Sequence, residues 1–119
     1  MSHINRRRQG KTGEDLAARV LEKSGWRILE RNFRFERGEI DLIAEDGEEL
    51  VFVEVKARRS NAFGAPEDAV NDKKQEQVYA VADGYLFKHD IENRPCRFDV
   101  VAIEFHNGCA EIRHIRDAF

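Results

Sequence analysis

Residues 38–58 read GEIDLIAEDGEELVFVEVKAR, two apolar runs with charged residues set into each of them. Asp46-Gly47 between the runs tolerates the positive φ of a tight turn, so the segment predicts a β-hairpin. With Asp46 and Gly47 as the two turn residues, Glu45 faces Glu48, Ile43 faces Leu50, Asp41 faces Phe52 and Glu39 faces Glu54. One side of the hairpin then carries Ile40, Leu42, Ala44, Val51, Val53 and Val55, with Glu49 near the turn, and is the expected core face. The other side carries Ile43, Leu50 and Phe52 near the turn and Glu39, Asp41, Glu54 and Lys56 toward the open end. Asp41 and Glu54 become diagonal neighbours with Cα atoms roughly 7–8 Å apart, close enough for their side chains to converge. A three-residue turn would reverse the parity and disperse this group.

Opposed like charges destabilise a sheet, so the carboxylates call for a partner. A divalent cation fits that need, because Mg²⁺ prefers hard oxygen ligands and is commonly held by one or two carboxylates plus water. The competing reading is a charged outer face on which Lys56 neutralises an acid. Leu50 and Phe52 on the same side argue that this face is not simply solvent-facing.

Outward from the hairpin, TGEDLAARVLEKSGW (12–26) predicts an amphipathic helix of about three turns. Thr12 is the expected N-cap, Leu16, Ala17, Val20 and Leu21 recur at helical spacing, and Gly25 supplies the stop. Glu14 shares a side with Ala17, Ala18 and Leu21, which sets a carboxylate at the edge of the buried face; an acid favoured by the helix dipole is the alternative. Residues 1–10 read as a basic, flexible arm with Arg6, Arg7 and Arg8, followed by Lys11. Arg27, Arg31, Arg34 and Arg37 recur every three or four residues, either a local phosphate-binding face or solvated side chains.

Trp26, Ile28, Phe33 and Phe35 at period two predict a strand with a break near Asn32. RRSNAFGAP (58–66) has turn chemistry and reads as a flexible loop that carries Phe63. A second helix, capped by Asn71, places Val78, Val81, Ala82, Tyr85 and Leu86 on one stripe, with Lys74 and Gln75 one turn before it. PCRFDVVAIEF is a further strand, and Asn107-Gly108 turns it back into CAEIRHI. The order α-β-β-β-α-β-β predicts an α/β fold of α+β mixed-sheet type flanked by helices, one domain over 11–119.

Composition sets the bounds. A chain of 119 residues builds one core. With 41% apolar and 36% charged residues it should fold with a highly charged surface, and a net charge of −3 does not by itself point to nucleic acid. No stretch approaches the ~20 apolar residues of a membrane span, and the basic N-terminus has no apolar run behind it, so a cytoplasmic protein with no membrane partner is expected. Cys96 and Cys109 form no CxxC pair, and His3, His89, His106 and His114 lack zinc-ligand spacing, so neither disulfide nor zinc is expected.

GEIDLI, FVEVKAR, FGAPEDAV, RFDVVAI and the ending IRHIRDAF together resemble the small bacterial YraN-like family, over nearly the whole chain from Gly10 to Phe119. That family is predicted to consist of PD-(D/E)xK endonucleases similar to archaeal Holliday junction resolvases. The resemblance implies a restriction-endonuclease-like core and places Asp41 at the first acidic position, Glu54 and Lys56 at E-x-K, and Glu14 at the additional acid of the resolvase-like branch. Ile40 stands where the superfamily's name has proline. Asp41, Glu54, the Val55 carbonyl and Glu14 would hold Mg²⁺ or Mn²⁺, with Glu39 and Gln75 lining the site. Arg58, Arg59, Lys73 and Lys74 would hold the DNA backbone. The implied activity is metal-dependent hydrolysis of DNA, with branched or junction DNA as the candidate substrate and a homodimer as the implied assembly. The alternative is a nuclease fold used as a nucleic-acid-binding or partner-binding module without catalysis.

Overall fold

The structure is a computed structural model and describes residues 3–59 and 64–119, with side chains described from Thr12 onward. Helix α1 (His3–Lys23) leads into strands β1 (Arg27–Phe35), β2 (Gly38–Asp46) and β3 (Glu49–Arg58). A 3-10 turn (Pro66–Ala69), helix α2 (Asp72–Lys88) and strands β4 (Cys96–His106) and β5 (Cys109–Ile115) complete the chain. The five strands form one mixed sheet whose spatial order is the chain order. All neighbours are antiparallel except β3 and β4, and that parallel pair needs a long crossover, which the 3-10 turn and α2 supply. This is the α/β architecture and element order that the sequence predicts, with the 3-10 turn added.

Side chains alternate across the sheet, so the one core expected from the length is divided by the sheet into two layers, one on each face. On one face Ala17, Ala18 and Leu21 of α1 bury Leu42, Ala44, Val51, Val53, Val101 and Ile103, with Trp26 beside them. On the other, Val78, Val81, Ala82 and Tyr85 of α2 cover Phe33, Ile40, Ile43, Leu50 and Phe52. Fully burying each such large side chain is worth about 1.5–3 kcal/mol, so the sheet is held mainly by these two layers. Gly13 lets α1 lie close on β3, since a Cβ there would stand 3.1 Å from that of Ala57. Phe119 packs its ring against Phe98 and Tyr79, closing the second core at the chain end.

Several expectations are corrected. The first helix begins at His3 rather than at Thr12, so the backbone of residues 3–10 belongs to α1 and the expected arm boundary falls inside a helix. A glycine at position 10 or 13 costs a helix about 1 kcal/mol without ending it, and no proline intervenes. The side chains of Arg6, Arg7, Arg8 and Lys11 lie outside the described residues, as does Phe63 of the loop. The helix ends as expected: Gly25 has φ +90°, Trp26 N–H donates to the Leu21 carbonyl and Gly25 N–H to that of Glu22, a Schellman end.

The hairpin register also differs. Asp46 pairs with Glu49 and Ile43 with Phe52, so the turn residues are Gly47 and Glu48 rather than Asp46 and Gly47. Gly47 has φ +60° while Asp46 and Glu48 stay negative, the pattern of a II′ turn with glycine at its first central position. Because the slip moves pairing by two residues, the faces survive. Strict alternation fails once: Ile40, expected beside Leu42, joins the α2-side core with its partner Phe33. The break expected near Asn32 is the cause, since Asn32 has φ +53° in mid-strand and turns the pair over at that level.

Asn71 caps α2 as expected, its side chain accepting the Lys74 N–H at 3.0 Å. Cys96 and Cys109 are free thiols. No helix among the described residues is long and apolar enough to cross a membrane.

Candidate metal and phosphate site

The hairpin does not stay paired to its open end. Pairing of β2 with β3 runs from Asp46–Glu49 to Leu42–Val53, while β3 stays paired with β4 as far as Arg58–Glu104 and β2 with β1 as far as Gly38–Phe35. The two strands therefore part at Asp41 and Glu54. Continuing the register sets these residues opposite each other rather than diagonally. Asp41 Oδ2 accepts the Val55 N–H at 2.8 Å, filling the place of a ladder carbonyl and fixing the carboxylate at the fork.

Glu54 is 1% exposed. Its Oε2 lies 3.6 Å from Lys74 Nζ, and its Oε1 is buried with no hydrogen-bond partner among the described residues. Buried polar groups are nearly always satisfied, so an orphaned carboxylate oxygen calls for an explanation. Burial, followed by the charge of Asp41, pushes the Glu54 carboxyl up to about 7, against the opposing charges of Lys74 and Lys56. Asp41 is also raised, first by burial; the Val55 N–H opposes this, Glu14 adds to it, and Lys56 and Lys74 oppose it. Two acids and two ammoniums thus meet at one point, with Glu14 bordering them from α1.

Glu14 is not a first-turn acid, because α1 starts well before it and has no acid in its first turn. The dipole explanation for Glu14 therefore falls away. Its Oε1 accepts from Asn32 Nδ2 at 3.1 Å and lies 3.7 Å from Arg31. Asn32, which the sequence marks only as a break, links the first helix to the fork.

Other expected residues divide. Glu39 is not opposite Glu54, because the register shift removes it, and it pairs with Arg34 at 3.5 Å. Gln75 is half-buried and donates through Nε2 to the Val70 carbonyl at 3.1 Å, bracing the entry to α2. Val55 meets Asp41 through its N–H, whereas its carbonyl was the expected ligand. Arg58 is half-buried at the end of β3, beside Glu104 in the register, and Arg59 is exposed just beyond. Lys73 lines an open groove of about 440 Å³ with Ala69, Asn71, Lys74, Glu76 and Gln77. Lys74, expected on the DNA backbone, also meets Glu54; the sequence signal was its position one turn ahead of the buried stripe.

A second group, Glu104, His106 and Glu111, brings ligand atoms within 4.8 Å of one another on β4 and β5. Spacing along the chain hides it, since strand pairing and not a short motif brings it together. Arg113 already serves both acids there, at 2.8 Å from Glu104 and 3.0 Å from Glu111, and also Glu67 at 2.6 Å.

The family model described as "Uncharacterised protein family UPF0102" matches residues 13–103, which include Glu14, Asp41, Glu54, Lys56 and Lys74. The chain is 48% identical over 118 residues to a UPF0102 protein of Moorella thermoacetica, covering 98% of each chain. It is 50% identical over 114 residues to one of Symbiobacterium thermophilum, covering 95% of this chain and 97% of the relative. For one of Persephonella marina the identity is 46% over 111 residues, with coverage of 93% and 92%. With the family model spanning most of the chain and relatives near half identity along almost its full length, the chain belongs to the UPF0102 family.

Proposed function

We propose that the protein is a Mg²⁺- or Mn²⁺-dependent endonuclease that hydrolyses DNA phosphodiester bonds, with branched DNA as its candidate substrate. The observation that carries this reading is the buried Oε1 of Glu54, without a hydrogen-bond partner among the described residues, beside Asp41 at the fork of β2 and β3. The donor set is hard oxygen, which suits these cations, and Asp41 and Glu54 would hold one directly with Glu14 acting through water. A bound cation would offset the charge building at phosphorus and acidify water.

The chain's own groups supply the rest. Val55 N–H holds Asp41 in one orientation, so the carboxylate is positioned before substrate arrives. Lys56 lies two residues beyond Glu54 on the same face, where its ammonium orients the attacking water or stabilises negative charge at phosphorus. Arg58, Arg59 and Lys73 offer cations around the acidic centre for the DNA backbone, giving salt-sensitive and largely sequence-independent binding. Cutting a junction symmetrically takes two copies, so a homodimer belongs to the branched-DNA form of the proposal. A cytoplasmic location accompanies it.

The Lys74–Glu54 pair favours a second reading, a module that binds nucleic acid without cutting it, since an internal cation already offsets one acid. It leaves Oε1 unexplained. End-labelled four-way junctions, flaps, duplexes and single strands in Mg²⁺ and Mn²⁺ separate the two. Cation-dependent cutting that Asp41→Asn and Glu54→Gln abolish is the expected result; retained binding in EDTA with no cutting of any substrate would favour the second.

A further inference from the structure

Lys74 stands between two environments. Its Nζ lies 3.6 Å from Oε2 of the buried Glu54, yet its side chain remains 26% exposed. The same side chain lines the open groove of about 440 Å³ that also carries Lys73 and Asn71. The Lys74 backbone N–H is fixed by the Asn71 cap at 3.0 Å, so the root of the side chain is anchored while its flexible four-carbon stem can reach either place.

We propose that Lys74 is an exchangeable counter-ion: it neutralises Glu54 until a divalent cation takes that carboxylate, then turns into the groove to hold a substrate phosphate. The proposal rests on the metal-dependent reading above and adds an order of events to it. An ammonium and a divalent cation sharing one carboxylate repel each other at contact distance. Lys56 projects from β3 on the same face as Glu54, where the reading above keeps its ammonium at the scissile phosphate. Lys74 comes from a different element and has the groove to move into. Competition of this kind is reciprocal, so cation and phosphate binding become mutually supportive through one side chain. Lys73 beside it gives the groove a second cation for the same phosphate, two ammoniums against the one acid of the lining, Glu76.

The test is Mn²⁺ titration by calorimetry on DNA-free protein, comparing wild type, Lys74→Gln and Glu54→Gln, with Lys23→Gln as a control for net charge on an exposed residue at the end of α1. Lys74→Gln is expected to bind Mn²⁺ about tenfold more tightly than wild type. Fluorescence anisotropy with a labelled duplex, with and without Ca²⁺, is the second readout. Ca²⁺ should raise DNA affinity in wild type and by several-fold less in Lys74→Gln. Unchanged or weaker Mn²⁺ binding in Lys74→Gln overturns the exchange while leaving the metal site intact, provided Glu54→Gln abolishes binding. Absence of saturable Mn²⁺ binding in wild type, or binding indifferent to Glu54→Gln, overturns the metal-dependent reading and the exchange together.

Discussion

Glu54→Gln in EDTA should abolish most of the protein's loss of stability between pH 5 and 8. The Glu54 carboxyl rises from an ordinary 4.5 to about 7 in the folded chain, first through burial and then through Asp41. Between those values the unfolded chain has released this proton while the folded chain still binds it. Folding stability therefore falls as pH rises through the window, and the loss is complete above the folded value. At 1.36 kcal/mol per pH unit the shift corresponds to about 3 kcal/mol. Urea denaturation at successive pH values reads it directly, as a fall in midpoint of roughly 1–2 M for wild type relative to Glu54→Gln. Asp41 shifts in the same direction, and its repulsion of Glu54 is mutual, so the difference between the two curves reports Glu54 together with that repulsion. Saturating Mn²⁺ should restore the lost midpoint in wild type by binding the ionised carboxylate. Parallel curves for the two proteins would refute the burial argument.

Away from the fork, Asp99 is fully buried and accepts from Arg97 Nε and Nη2, the Asp117 N–H and, at 2.8 Å, His114. Burial pushes its carboxyl up, but these hydrogen bonds outweigh it and hold it below the ordinary range. Asp99→Ala should cost about 3 kcal/mol by urea denaturation, because it removes the buried acceptor shared by Arg97, His114 and the Asp117 N–H and leaves Arg97 only Asp46 and Glu49; a cost under ~1 kcal/mol would contradict this. Gly84→Ala tests packing against propensity: alanine favours a helix by about 1 kcal/mol, yet its Cβ would overlap the Phe35 ring, so net destabilisation of about 1–3 kcal/mol is expected and a raised midpoint would refute the contact. Lys73→Ala should weaken DNA binding uniformly across sequences and lower the salt slope by about 1; an unchanged slope would remove Lys73 from the phosphate contacts.

Much of this was legible in the sequence because period-two and period-3.6 patterns carry it. The faces of the hairpin could be read although the turn was misplaced by one residue, since a shift of two in the pairing preserves parity. Asp41 and Glu54 therefore converge as expected, but Glu39 does not, because its place depended on exact register. The start of α1 was not legible: Gly10, Gly13 and Thr12 look like an entry, yet the helix runs through all three, and the close approach of α1 to β3 that Gly13 permits is not readable from spacing. Lys74 at Glu54 and the Glu104–His106–Glu111 group were hidden for one reason. Each is assembled by contacts between elements, about which spacing along one element says nothing.

Single-turnover cleavage of an end-labelled four-way junction in Mg²⁺ by wild type and Glu54→Gln, side by side, tests the central claim most directly. Cation-dependent product from wild type and at least a 10²-fold slower rate from the variant are expected, the scale on which losing a group aimed at the developing charge is felt. Equal rates, or cutting by wild type that persists in EDTA, would contradict it.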